Sequence, residues 1–235
     1  MTNVSTVVHL AAMTDVDRCE MEPELATSVN VQGTKNIVDA AREVGARVIY
    51  LSTDYVFDGL KSGEYIEEEP PSPINSYGRT KLQGEQYVLT DPAHLVVRTS
   101  WLIGRGPNFI NSILRAARGM DEVNVVGDQV GRPTFAADLA LALRMLIVSD
   151  TAGIVHVCGD GAPCSWADLA EIAIGQARLQ SSVARIDSET YASLQDRIVA
   201  PRPMNSTLSL NKAKRMKIPL GTWRNSLVEY ISGMR

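Results

Sequence analysis

A hydroxyl, a phenol and an ammonium stand at spacings suited to reducing a ketone. The run Ser52-Thr53-Asp54-Tyr55-Val56-Phe57-Asp58-Gly59 is followed by Tyr77-Gly78-Arg79-Thr80-Lys81. Tyr77 lies 24 positions after Thr53, and Lys81 lies 4 after Tyr77. Residues four apart on a helix share a face, so Lys81 can sit under Tyr77. A phenol of pKa ~10 is a weak acid at neutral pH, and a cation beside it lowers that value. Thr53, at the end of a buried strand, can aim its hydroxyl at the same point. Together the three make a proton donor directed at a carbonyl oxygen. That is the acid half of a ketone reduction, and the hydride must come from a nicotinamide.

The elements that must hold these groups are legible as alternating strands and helices. Residues 47–52, Arg-Val-Ile-Tyr-Leu-Ser, form a continuous apolar run suited to a buried parallel strand. Strands are also expected at 6–11, 94–99 and 154–158, with a short one near 122–126. Helices are expected at 24–44, 77–90, 107–118, 135–149 and 165–178, with a short one from Arg224 to Met234. The first carries Leu25, Val29, Ile37, Val38 and Ala41 at helical spacing and stops at Gly45. Ser165 is the expected cap of the helix at 165–178, with Asp168 in its first turn. Residues 53–76 read as a long loop, a length that usually signals function. The fold class is α/β: a mostly parallel, Rossmann-like sheet with helices on both faces. No linker marks a boundary. The division expected is 1–120 as a partial Rossmann domain with the catalytic residues, and 121–235 as a smaller, mainly substrate-binding C-terminal lobe with segments returning to the sheet.

The motifs around the Tyr and Lys carry a resemblance. They are His9-Leu10-Ala11-Ala12-Met13-Thr14, Asn30-Val31-Gln32-Gly33-Thr34, Pro73-Ile74-Asn75-Ser76-Tyr77-Gly78, Val97-Arg98-Thr99-Ser100-Trp101, Gly131-Arg132-Pro133-Thr134 and Arg202-Pro203-Met204-Asn205-Ser206. In this order, from about residue 6 to the C-terminus, the chain resembles the extended short-chain dehydrogenase/reductases, and among them the dTDP-4-dehydrorhamnose reductases. The resemblance implies NAD(P)H-dependent reduction of a 4-keto-6-deoxysugar nucleotide. Tyr77 would donate the proton. Lys81 would lower the Tyr77 pKa and hold the nicotinamide ribose, and Thr53 would bond the carbonyl oxygen. Ala11, Ala12, Thr14, Thr99 and Ser100 would border the cofactor, NADPH or NADH. Asp54, Tyr55, Arg98 and Trp101 would face the sugar. Arg132 and Asn205 are candidates for the phosphates or base, and Asn30 would support the active-site loop. Two other readings of the fold stand beside this one: a regulatory subunit without turnover of its own, and a sugar-nucleotide epimerase.

The same comparison finds no Gly-rich turn of the G-x-G-x-x-G kind ahead of the strand at residue 6. The chain reads as lacking about two βαβ units, on the order of 50–60 residues. Weak cofactor binding is the expectation that follows. So is an exposed apolar edge at strand 6–11, which would drive homo-oligomerisation.

Composition bounds the rest. The formal net charge of −4 argues against nucleic acid or an anionic membrane as partner. No run approaches the ~20 apolar residues of a membrane span. Cys19, Cys158 and Cys164 lack metal-binding spacing and suit reduced thiols in the cytoplasm. His9, His94 and His156 are scattered, and no metal site is read from them.

Overall fold

In a computed structural model, which describes residues 4–234, the elements follow one another as β1 (Thr6–His9), α1 (Val16–Met21), α2 (Pro23–Thr27), α3 (Gly33–Glu43) and β2 (Arg47–Thr53). Next come α4 (Ser76–Val88), β3 (Leu95–Thr99), β4 (Leu102–Ile103), α5 (Phe109–Ala117) and β5 (Glu122–Val126). They continue through β6 (Val130–Gly131), β7 (Thr134–Phe135), α6 (Ala136–Ile147), β8 (Gly153–His156) and β9 (Cys164–Ser165). The chain closes with α7 (Trp166–Gln176), β10 (Ser182–Ile186), α8 (Ser188–Ser193), α9 (Asn211–Arg215) and α10 (Trp223–Ser232).

The main sheet is wholly parallel, in the order β1-β2-β3-β8. Its register sets Thr53 at the end of β2 directly opposite Thr99 at the end of β3. Side chains alternate across the sheet, so β2 feeds two cores. Ile49 joins Leu95, Val97 and Val155 under α6, through Leu139, Ala142, Leu143 and Leu146. Val48 and Tyr50 join Val96 on the other face under Val38 and Ala41 of α3 and Val88 of α4. Helices therefore cover both faces, as a buried parallel sheet requires.

A separate core lies beyond β3. Trp101, Ile103, Ile110, Leu114, Leu169, Ala173, Trp223 and Leu227 pack there, and the β5–β10 pair forms a parallel two-stranded sheet. The two cores interleave along the chain. α5, on the N-terminal side of residue 120, packs in the second core, while α6, β8 and α9 return to the main sheet.

Local differences from the sequence reading have physical causes. The stretch at 24–44 is one helical run, but Ser28–Gln32 widens into a π-helical turn between α2 and α3. Helix α1 falls where the sequence shows only an acidic segment. Its N-cap Asp15 accepts a bond from the Arg18 amide at 3.0 Å. The 53–76 loop has its own core. Tyr65 stacks on Phe57 with ring centroids 4.2 Å apart, and its hydroxyl accepts bonds from the Gly59 and Lys61 amides and donates to Asp58. Tyr65 also exchanges backbone bonds with Thr207 and Ser209. This loop is a packed shelf.

Candidate active site

The cleft opens where β1, β2 and β3 end, the crevice in which open α/β sheets bind ligands. It has a volume of about 400 Å³, and Ala12, Thr14, Ser52, Thr53, Asp54, Tyr55, Tyr77, Lys81, Thr99, Ser100 and Trp101 line it. Thr53 is the last residue of β2 and caps the 3-10 turn Asp54–Val56, accepting from the Tyr55 amide at 3.2 Å. Asn75 caps α4 by accepting from the Gly78 amide at 2.8 Å, which starts the helix one residue before Tyr77. Helix and turn approach so closely that a Cβ at Gly78 would fall 2.1 Å from the Tyr55 carbonyl oxygen. Only glycine permits that contact, and it seats Tyr77 against Tyr55, whose rings meet edge to face at 6.0 Å. Thr53, Tyr77 and Lys81 thus come to one place.

Lys81 is buried, with 3% of its surface exposed. Its Nζ donates to the Leu51 carbonyl oxygen at 2.8 Å and lies 4.0 Å above the Tyr50 ring. Burial pulls the ammonium down to about 7, while Glu85 one turn further on α4 acts in the opposite sense. The Tyr77 phenol is raised above its ordinary value by desolvation. A hydrogen bond with Thr53 opposes the rise, and Asp54 and Tyr55 add to it. The sequence reading has Lys81 lowering Tyr77. In the structure burial dominates both groups, and the ammonium is engaged by Leu51 and Tyr50. Asp54 is raised to about 7 by the same desolvation, against hydrogen bonds from Ser206 and Thr53.

Behind the cleft, the Asn30 side chain ties three segments together. It accepts from the Met13 amide at 2.8 Å and donates to the Met13 carbonyl at 3.1 Å and to Thr80 Oγ1 at 3.0 Å. The π-turn around Asn30 is what sets this side chain between the 10–14 loop and α4.

Four expected contacts lie elsewhere. Arg98 does not line the cleft. β3 turns it into the interior, where it forms a buried bidentate pair with Glu85, the shortest contact being 2.7 Å. Arg132 is buried beneath the second lobe, paired with Glu64 and donating to the Gly161 carbonyl. Asn205 spends its amide on the Lys61 and Gly63 carbonyls at 2.8 and 2.7 Å, and its carbonyl on the Thr207 amide. In each case local backbone or carboxylate groups engage the side chain, although Arg98 Nη1 and Arg132 Nε stay buried without a partner among the described residues. Ala11 is exposed, outside the lining formed by its neighbours Leu10 and Ala12. Trp101 does line the cleft. It sits at φ 44°, stacked 3.6 Å from Trp166, and a Cβ at Gly131 would fall 2.7 Å from its ring.

A second, larger cavity of about 590 Å³ adjoins the cleft, with Phe109 and Trp166 lining both. Val125, Gln129, Ser188, Tyr191 and the 199–202 segment form its walls, and Arg202 is the one cation among its lining residues. Residue-level reading of the sequence assigns nothing to this cavity. Arg202 had a signal, since it opens Arg-Pro-Met-Asn-Ser. The apolar members carry none, because aromatic residues at helical spacing look like core.

The donor set fits a nicotinamide cofactor. An ammonium and hydroxyls meet at strand ends, Ala12 leaves room for close approach, and Ser52 Oγ and Asp54 Oδ2 are buried without a partner among the described residues. Lys81, Tyr77, Ser100 and Thr99 are the residues that could hold it.

Comparison with known proteins agrees. The family model described as the RmlD substrate binding domain matches residues 1–235. A dTDP-4-dehydrorhamnose reductase of Sinorhizobium fredii is 42% identical over 234 residues, spanning 94% of this chain and 77% of that one. The crystal structure of a dTDP-4-dehydrorhamnose reductase from Bacillus anthracis in complex with NADP superposes with a TM-score of 0.90 at 34% identity, covering 98% of this chain and 81% of that one. One from Clostridium acetobutylicum gives 0.92 at 36% identity, with the same coverage. With the cleft, the fold and these likenesses in agreement, the chain belongs to the dTDP-4-dehydrorhamnose reductase family.

Proposed function

We propose that this protein reduces the 4-keto group of dTDP-4-dehydrorhamnose with NADPH, giving dTDP-rhamnose. The observation that carries the reading is the meeting of Thr53, Tyr77 and Lys81 in a cleft that runs into a larger cavity with a single lining cation. A sugar nucleotide has two such ends: a small ring that reacts and a bulky, anionic nucleotide that only binds. The sugar lies in the cleft and the nucleotide in the larger cavity, with Phe109 and Trp166 at the junction. The lobe formed around α5, α7 and the β5–β10 pair is accordingly the substrate-binding part, and the main sheet carries the catalytic residues.

Tyr77 hands its phenolic proton to the carbonyl oxygen of the sugar. A phenol held above its ordinary pKa stays protonated at neutral pH, so it is loaded as an acid before substrate arrives. Thr53 bonds the same oxygen and orients it. NADPH, when bound, supplies the hydride. Lys81 holds the ribose hydroxyls and meets the negative charge left on Tyr77. Arg202, beside Tyr55 and on the wall of the larger cavity, faces the diphosphate. Nicotinamide oxidation with dTDP-4-dehydrorhamnose tests the reading directly, and no turnover with added NADPH would sink it.

The substrate is a nucleotide sugar, and no helix of the described residues is long and apolar enough to cross a membrane. The three free thiols suit the reducing cytoplasm, where we place the enzyme. Leu10, Met21, Leu25, Val29 and Ile37 expose apolar surface. We infer self-association through this apolar face. Leu25→Lys, on the exposed apolar face, is expected to shift sedimentation toward the monomer, and a monomeric wild type overturns the inference.

A further inference from the structure

Asp17 stands in α1, on the catalytic side of the molecule, yet its carboxylate is spent on a segment 180 residues further along the chain. It is 4% exposed. Oδ1 accepts from the Ala200 amide at 3.0 Å and from the Arg202 guanidinium at 2.7 Å. Oδ2 accepts from Arg197. Burial alone would raise this carboxyl, but the amide and the two guanidinium groups outweigh it and hold the group below its usual range. A second tether runs in parallel: Asn75, the cap of α4, donates to the Pro201 carbonyl at 2.8 Å.

The tethered residues are the wall of the larger cavity. Val199, Ala200, Pro201 and Arg202 all line it, and Arg202 also bonds the Tyr55 side chain in the cleft. The segment lies in a stretch without regular secondary structure, between α8 and α9. Its neighbours Leu194 and Ile198 are 60% and 58% exposed. Hydrogen bonds of its own sheet or helix do not hold it, so side chains from elsewhere must.

We propose that Asp17 is a positioning residue for the nucleotide end of the substrate, fixing the 197–202 segment and the Arg202 guanidinium against the larger cavity. The proposal rests on the assignment of that cavity to the nucleotide. A guanidinium free to rotate meets a diphosphate at an entropic cost that one held by a buried carboxylate has already met. The Arg202 guanidinium also donates to the Ala200 carbonyl at 2.7 Å, and the donors left over after that bond and the pair with Asp17 are those that meet the ligand. Misplacement of a binding group by about 1 Å is enough to cost ten- to a hundredfold.

The test uses dTDP itself as the probe, bound to the full chain and followed by calorimetry. Asp17→Asn keeps the shape of the side chain and removes its charge. About tenfold weaker dTDP binding is expected, with KM for the sugar nucleotide rising more than kcat falls. In an Arg202→Met background the same substitution should add less than about threefold, since Asp17 acts through that guanidinium. Full additivity, or wild-type affinity in a folded Asp17→Asn, overturns the proposal. Should Asp17→Asn fail to fold, Arg197→Met carries the test from the exposed end of the tether, with about threefold weaker dTDP expected and equal affinity overturning it. A wild-type chain that binds no dTDP overturns the cavity assignment first, and this proposal with it; wild-type binding with an indifferent Asp17 overturns this proposal alone.

Discussion

The cleft and the larger cavity share Phe109 and Trp166, but they are assembled differently. The polar groups of the cleft stand at the ends of parallel strands and on the first turns of α4. Their mutual placement is set by sheet register, a helix cap and a glycine contact. The wall of the larger cavity comes from α5, the β5–β6 region, the start of α7, α8 and the 199–202 segment. It is apolar apart from a few polar groups, and its shape depends on how a lobe packs. Chemistry needs a proton donor held at fixed geometry, which regular elements supply. Recognition of a bulky ligand needs volume and a few anchors, which irregular segments supply as well. The two regions should therefore separate in mutants, one governing turnover and the other affinity.

The largest separation is expected at Tyr77. Tyr77→Phe removes a positioned acid, and kcat should fall by roughly 10²–10⁴. Binding of dTDP, measured by calorimetry, should stay at the wild-type value. If turnover holds, Tyr77 is not the proton donor; if dTDP binding collapses as well, the two regions are not separable.

Arg98 sharpens the comparison from beneath. It reads as a cleft residue in Val-Arg-Thr-Ser-Trp but is a buried partner of Glu85. Arg98→Met leaves a carboxylate unpaired in the core and should cost about 3–5 kcal/mol of stability, whereas replacing both partners by apolar residues should be close to neutral. Chemical denaturation of Arg98→Met, Glu85→Leu and the double variant decides this. Equal losses in the single and double variants would mean the pair is not what holds this part of the core.

A milder effect belongs to the cavity wall. Ala192→Trp places bulk in the space assigned to the nucleotide, beside Tyr191. KM for the sugar nucleotide should rise about tenfold, equivalent to about 1.4 kcal/mol, with kcat changed far less. Steady-state kinetics at saturating NADPH checks the split. Unchanged KM would move the nucleotide elsewhere.

These contrasts also explain what the sequence could tell. Strand ends and the Tyr-Lys helix were readable because spacing and residue type agree: Tyr77 and Lys81 stand four apart on one helix face, 24 and 28 positions after Thr53. Strand β2 announced itself by an unbroken apolar run. Arg98, Arg132 and Asn205 misled because a basic or amide side chain near a strand end reads the same whether it meets a ligand, a buried carboxylate or a loop carbonyl. Asp17 was invisible, since its partners Arg197, Ala200 and Arg202 are joined to it only by the fold. Helix α1 was missed because six residues give too little periodicity to register.

The effect with the smallest step per unit of pH tests whether Lys81 is as buried as the geometry has it. The ammonium titrates near 7 in the folded chain, against an ordinary value near 10.5. Between those two values the unfolded chain binds the extra proton, so stability rises with pH. Below about 7 the charge is carried in both states, and the full cost of burying it is present. Lys81→Met has no such group, so its stability should lack this slope. From pH 7 to pH 8 the wild type should gain about 1 kcal/mol on the variant, or about 2–4 °C in Tm for a chain of this size. Thermal melts of both proteins across pH 6–10 measure the difference, which should keep growing toward the ordinary lysine value and then level off. A difference that stays flat across this range would mean the ammonium is solvated in the cleft. It would then be held by water instead of by the Leu51 carbonyl and the Tyr50 ring, and the contrast between a rigid cleft and a moulded cavity would lose its sharpest element.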